Sequence, residues 1–130
     1  GGEMGPDLLD VAATRSMKPH EVVELHSSQE YHAYFVGFAP GFAYLGDVPE
    51  ALAMTRLATP RTSVPAGSVA MVGRQTGVYP FATPGGWRLI GRTPLAMFRA
   101  DREPMALIAL GDRVRFKPIT QDTFAKLEHS

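Results

Sequence analysis

The apolar positions of the first thirty residues recur at helical spacing and predict two short helices. Pro6 suits the first position of a helix, and a stripe of apolar residues follows it until Arg15. A second stripe starts after Lys18-Pro19 and ends near His26-Ser27. At the other end of the chain, residues 120–127 predict a capped helix.

From residue 30 onward the pattern changes to short strands. Residues 30–38 are mainly aromatic and β-branched, which favours a strand. Further strands are predicted over residues 68–72, 77–80, 87–90 and 113–117, each bounded by Gly, Pro or Asp. Such spacing indicates a mainly β domain with a closed or nearly closed antiparallel sheet.

Composition supports this fold class. The 130 residues include 13 Gly and 11 Pro, and residues 37–94 hold 9 Gly and 7 Pro, which excludes a helical bundle or coiled coil. Hydrophobic residues make up 45 % of the chain, enough for the core of one domain.

Several classes of site are excluded by what the chain lacks. There is no Cys, so a disulfide framework, a thiolate metal site and a cysteine nucleophile are ruled out. The four His show no metal-ligand spacing, so we expect no metal. No apolar run approaches the ~20 residues of a membrane span, and no signal peptide opens the chain, so we expect a cytoplasmic protein. The Gly-Gly start without Met predicts a fragment of a longer chain.

Charge is unevenly distributed although the net charge is zero. Residues 1–30 hold 2 basic and 6 acidic side chains, whereas residues 31–94 hold 5 basic and 2 acidic ones. All five of these basic residues are arginine, which suits a small carboxylate or phosphate. The charge is too low and scattered for a nucleic-acid surface.

Residues 37–46 form the first candidate functional segment. The run is uncharged, and Pro40 argues for a loop or a strand edge rather than a central strand. Its aromatic side chains predict walls of a ligand pocket or a partner groove, or else a loop that folds back over one end of the sheet. The groove residues predicted are Phe38, Pro40, Phe42, Tyr44 and, farther along, Trp87.

Residues 60–94 form the second candidate segment. Its polar groups are hydroxyls, one amide and arginines, with no Asp or Glu, so it can bind an anion but offers no carboxylate base. Residues 83–86, Thr-Pro-Gly-Gly, predict either a tight turn or a nest of amides around an oxyanion. Asp47 and Glu50, between the two segments, suggest a solvated turn. The sequence names no catalytic residue.

Three motifs in these segments resemble a known family. They read GFAPGFAYL at 37–45, PRTSVPAGSV at 60–69 and GRQTGVYPFATPGGWRLIGRTP at 73–94. They resemble the family of allophanate hydrolase subunit 1, also called the B subunit of 5-oxoprolinase, which includes the bacterial inhibitor of sporulation kinase A. Ala43 departs from the pattern, where a proline is expected.

The resemblance implies a cyclophilin-like closed β-barrel with short peripheral helices. It implies a single domain over residues 1–130, with a helical lead-in at 1–28, the barrel at 29–118 and a terminal helix at 119–130. From the resemblance we also expect the family's N-terminal domain to be missing from this chain. The resemblance also implies a second, carboxyltransferase-like subunit as partner, in an ATP-dependent 5-oxoprolinase whose ATP is not bound by this domain.

Two functions follow as hypotheses. In the first, the domain binds 5-oxoproline next to its partner: Arg61 pairs with the carboxylate of this small anion, Gln75 and Tyr79 hold the lactam, and Thr83 completes the site. Alone, the domain is expected to be inactive. In the second, the aromatic groove docks a sensor histidine kinase and inhibits it. Prolyl isomerisation, by fold analogy, is a weak third idea.

Overall fold

The computed structural model describes residues 4–37 and 41–128. Helices α1 (Leu8–Thr14) and α2 (Pro19–Ser27) precede the strands, and α3 (Gln121–Glu128) closes the chain. A short 3-10 helix covers Glu50–Leu52. The strands are β1 (Tyr31–Val36), β2 (Ala43–Gly46), β3 (Arg61–Val64), β4 (Ser68–Val72), β5 (Gln75–Val78), β6 (Thr83–Gly85), β7 (Arg88–Arg92) and β8 (Arg113–Val114).

The three predicted helices are confirmed. Pro19 stands at the start of α2, and Glu21 accepts a hydrogen bond from the backbone N–H of Lys18 at 2.8 Å, which fixes the first turn. In α3 the Thr120 hydroxyl accepts the N–H of Thr123 at 3.1 Å. The starts of α2 and α3 are fixed by hydrogen bonds between residues three positions apart, so the sequence alone can locate them.

Six strands form one antiparallel sheet in the order β7-β4-β5-β2-β1-β8, and β3 pairs with β6 in a separate two-stranded sheet. The predicted closed barrel is therefore wrong for the described residues: β7 and β8 do not pair with each other. The outer edge of β7 is occupied by Asp7, which forms two hydrogen bonds with the backbone of Leu89, at 2.9 and 2.7 Å. At the opposite edge, β8 is only two residues long, shorter than the strand predicted over 113–117.

Residues 83–86, for which the sequence predicts a tight turn or an oxyanion nest, adopt neither structure. Thr83–Gly85 is strand β6, with Thr83 opposite Val64 and Gly85 opposite Arg61. Pro84 is tolerated because a two-stranded sheet consists of edges only.

The six-stranded sheet has a different core on each face. Alternation along the strands sends Leu45, Met71 and Ile90 toward α1 and α2, where Val11 and Val22 are fully buried. The opposite face carries a second cluster, built by Phe42, Val64, Ala70, Tyr79, Trp87 and Leu89. We call this side the aromatic face.

One buried histidine joins α2 to the sheet. The His26 imidazole contacts the Thr76 hydroxyl at 2.8 Å, and that hydroxyl in turn donates to the Ala70 carbonyl at 3.0 Å. Tyr31 donates its hydroxyl to the His26 carbonyl at 2.6 Å. Burial lowers the pKa of His26 to about 4, so the imidazole is neutral near pH 7.

Candidate functional site on the aromatic face

Four aromatic rings pack together on the side of the sheet away from the helices. Phe42 lies 5.5 Å from both Tyr79 and Trp87, nearly perpendicular to each, and 5.0 Å from Tyr44. Three of the rings are buried and only Tyr44 is half-buried. The predicted groove residues Phe42 and Trp87 thus form a wall that supports Tyr44. Phe38 and Pro40, also predicted for the groove, lie outside the described residues.

A β-bulge extends this face with two more aromatic side chains. The pairing of β1 with β2 slips between Ala33 and Phe35, so Tyr34 has no partner position on β2. Phe35 contacts Tyr44 edge to face at 5.4 Å, and the Tyr34 hydroxyl accepts a hydrogen bond from the Gln75 amide. Phe35 is 56 % exposed and Tyr34 48 %. In a regular strand these neighbours would point to opposite faces, so the sequence did not predict their shared position.

Tyr79 brings a buried hydroxyl to the β3–β6 end of the aromatic face. Burial raises the pKa of Tyr79, while a hydrogen bond from the backbone N–H of Trp87 and the positive charge of Arg56 oppose that rise. Gly85 passes directly over the hydroxyl, since a Cβ added there would lie 2.3 Å from it.

Replacing Gly85 with alanine is expected to destabilise the protein by about 1–3 kcal/mol, because the new methyl group must displace Tyr79 or the backbone of β6. Urea unfolding of Gly85→Ala measures the effect. Gly91→Ala is the matched control, since an added Cβ meets nothing within 4 Å there. Equal stability of the two variants would contradict the packing described.

Arg61, the predicted carboxylate ligand, is already paired. Its two terminal nitrogens donate to the two carboxylate oxygens of Asp7, at 2.7 and 2.9 Å. Burial alone would raise the pKa of Asp7, but the hydrogen bonds from Arg61 and from the Leu89 N–H outweigh it and leave the pKa below its usual value. The two terminal nitrogens that would bind a substrate carboxylate are therefore already occupied by Asp7. Asp7 lies 54 residues away in sequence, and the sequence offered no signal for it.

The other predicted substrate residues do not form one site. Arg61, Tyr79 and Thr83 lie around the β3–β6 pair, and the positive charge of Arg61 reaches Tyr79. Gln75 begins β5, whereas Tyr79 follows its end, which separates them by about 13 Å along an extended chain. They do not lie side by side to hold one lactam.

Arg56 is the residue that sequence reasoning missed. It is exposed, close to Gly86 and within electrostatic reach of the Tyr79 hydroxyl. Within residues 4–37 and 41–128, its guanidinium has no hydrogen bond and no carboxylate within 4.0 Å. The sequence signal that could have indicated Arg56 is that it is one of the five arginines in residues 31–94.

Arg56 also lines an open pocket of about 450 Å³ beside the aromatic rings. Arg74 and Asp47 supply further charge, Gln75 and Tyr34 supply neutral polar groups, and Val72 connects the pocket to the aromatic cluster. No group of three or more His, Asp or Glu in the described part of the chain is placed to hold a metal ion. None of the helices that the structure describes could cross a bilayer.

Residues 1–108 match the family model described as carboxyltransferase domain, subdomain C and D. The chain belongs to that family. It is 50 % identical over 124 residues to the 5-oxoprolinase B subunit of Bacillus subtilis and 57 % identical over 118 residues to the protein of that name from Escherichia coli O157:H7.

Family members extend beyond this domain. The two alignments cover 95 % and 91 % of this chain but 52 % and 54 % of the relatives, so the chain spans about half their length. A crystal structure of a conserved uncharacterized protein from Pyrococcus horikoshii superposes with a TM-score of 0.91 at 48 % identity, covering 95 % of this chain and 57 % of that one. The resemblance found in the sequence motifs is confirmed, and the fold is mainly β with few short helices.

Proposed function

We propose that this carboxyltransferase-family chain is part of a subunit of an ATP-dependent 5-oxoprolinase complex and contributes to substrate binding there. The relatives named as B subunits of 5-oxoprolinase support the assignment, at 50 % and 57 % identity. Because those relatives are named as subunits, they also support a partner, which we propose to be carboxyltransferase-like. The complex would act in the cytoplasm and hydrolyse ATP on its other subunits.

The binding role is supported by the guanidinium of Arg56, which lies beside the aromatic rings and has no hydrogen bond or carboxylate partner among the described residues. 5-Oxoproline is a five-membered lactam with one carboxylate, so it needs a cation for the carboxylate and an apolar surface for the ring. Arg56 supplies the cation, because Arg61 is held by Asp7. Tyr44, half-buried above Phe42 and Trp87, supplies the surface.

Replacing Arg56 with glutamine is expected to raise the KM for 5-oxoproline by about 10- to 100-fold, the value of one charge-assisted hydrogen bond. The measurement is 5-oxoproline-dependent ATP hydrolysis by the reconstituted complex. Arg113→Gln on β8, whose guanidinium is 69 % exposed and 3.7 Å from Glu30, is the matched control. An unchanged KM in Arg56→Gln would remove Arg56 from the substrate site.

The exposed rings Tyr34 and Phe35 support a protein partner on the same face. Two large aromatic side chains that are about half exposed are costly in water and typical of interface anchors. We propose that the partner subunit covers them in the assembled complex.

The same exposed rings favour the second candidate function, inhibition of a sensor histidine kinase, which needs a docking surface and no catalytic group. Titration of the chain into the dimerisation domain of such a kinase tests it, with Phe35→Ser as the matched variant. Absence of binding, or binding that Phe35→Ser leaves unchanged, would rule this function out on this face.

A further inference from the structure

The pocket beside the aromatic rings contains opposite charges that do not neutralise each other. Asp47, Arg56 and Arg74 all line it. In the described part of the chain, the carboxylate of Asp47 has no hydrogen bond and no cation within 4.0 Å. The carboxylate and both guanidinium groups are therefore available to a ligand.

The charged groups are held in position by their surroundings. The Arg74 Nε donates to the Val48 carbonyl at 2.9 Å, which fixes the base of that side chain and leaves its terminal N–H groups for a ligand. The backbone N–H of Val48 donates to the Arg74 carbonyl at 2.8 Å, so the segment that carries Asp47 is tied to the β4–β5 turn. Carboxylate and guanidinium thus face the same space from two connected segments.

The remaining lining leaves room for a small molecule. Gly73 forms the turn between β4 and β5, and a Cβ added there would meet nothing within 4 Å. The amide of Gln75 donates to the Tyr34 hydroxyl, which fixes both groups. The lining thus offers a ligand two cations, one anion and neutral polar groups.

We propose that this pocket binds a small zwitterion of the α-amino acid class, with the ligand ammonium on Asp47 and its carboxylate on Arg56 or Arg74. A simple carboxylate pairs with an arginine and leaves Asp47 without a partner, whereas a zwitterion satisfies both signs of charge. The charges that line the pocket are sufficient to indicate this class of ligand.

The proposed function, on which this step rests, identifies the amino acid. When water adds to the lactam carbonyl of 5-oxoproline, the ring C–N bond breaks, the carbonyl carbon becomes a carboxylate and the nitrogen becomes a free ammonium. The ring-opened product is glutamate, and only this product carries the ammonium that Asp47 can bind. The pocket is therefore a product site adjacent to the aromatic surface that holds the lactam.

Amide NMR titrations of this chain with L-glutamate, 5-oxoproline and glutarate test the proposal. L-Glutamate is expected to give saturable shifts at the amides of Asp47, Gly73 and Gln75. Asp47→Asn should weaken L-glutamate binding about tenfold or more and should not weaken binding of glutarate, which has no ammonium. Glu50→Gln is the matched control, because Glu50 lies three residues away and outside the pocket lining.

Two results would overturn the proposal: no saturable shift with L-glutamate, or equal L-glutamate affinity in the parent and Asp47→Asn. Both leave the proposed function standing, since that is judged by the KM of the assembled complex. Conversely, L-glutamate binding that depends on Asp47, together with an unchanged KM in Arg56→Gln, would retain the amino-acid site and reject the proposed role of Arg56.

Discussion

Replacing Asp7 with alanine is expected to lower the free energy of unfolding by about 3 kcal/mol, since removing one partner leaves the other charge uncompensated. Asp7 is buried and binds both terminal nitrogens of Arg61 and the N–H of Leu89. The substitution therefore removes the side-chain hydrogen bond to Leu89 at the edge of β7 and also leaves Arg61 without its carboxylate partner. Urea unfolding monitored by circular dichroism measures the loss.

Asp10→Ala is the matched control for that experiment. Asp10 also pairs with an arginine, Arg88, but its side chain is 59 % exposed, so the loss should stay below about 1 kcal/mol. The double variant Asp7→Ala/Arg61→Met should recover part of the loss because no unpaired guanidinium remains. If Asp7→Ala cost no more than Asp10→Ala, the buried pair would not hold the β7 edge.

Stability is expected to fall by about 3 kcal/mol between pH 6.5 and pH 4 because of His26. The His26 pKa is about 4 in the folded protein and ordinarily 6.5. Between these values the unfolded chain binds a proton that the folded chain does not, so protonation favours unfolding. The stabilisation is complete above pH 6.5 and is lost as the pH falls toward 4. Urea midpoints measured across this range report it.

His26→Gln should flatten that pH profile, since glutamine can still hydrogen-bond to Thr76 but does not titrate. The exposed His20 on the same helix provides the control His20→Gln, which should keep the parent profile. If His26→Gln does not fold, an NMR titration of the parent imidazole gives the same test. A His26 pKa near 6.5 would contradict the burial of the ring in the α2–sheet contact.

The sequence located the helices and most strands because their signals are local. Apolar spacing and Pro19 are sufficient for α2, and a short apolar run bounded by Gly67 and Gly73 is sufficient for β4. The β3–β6 pair was missed because both strands are short and β6 contains Pro84 and Gly85, so they become strands only by pairing with each other. The bulge at Tyr34 depends on the register with β2, which no local pattern determines.

The sequence predicted which types of residue form the candidate site but not which of them contact each other. Four aromatic residues of the motifs pack together on one face of the sheet: Phe42, Tyr44, Tyr79 and Trp87. The sequence could not show whether Arg61 or Arg56 is available to a ligand. The two differ because Arg61 is paired with Asp7, which lies in a turn distant in sequence. The closed barrel was expected because of the family resemblance. In the structure Asp7 forms hydrogen bonds along the outer edge of β7, and no pattern within the strand itself could predict them.

The most direct test of substrate binding on the aromatic face uses Trp87, the single tryptophan of the 130 residues. Its ring lies 5.8 Å from Tyr44, the proposed surface for the lactam. The protein is labelled with 5-fluorotryptophan, reconstituted with unlabelled partner subunits and titrated with 5-oxoproline under ¹⁹F NMR. We expect a saturable shift of the Trp87 signal that Arg56→Gln weakens. An unmoved Trp87 signal at substrate concentrations that saturate turnover would contradict it.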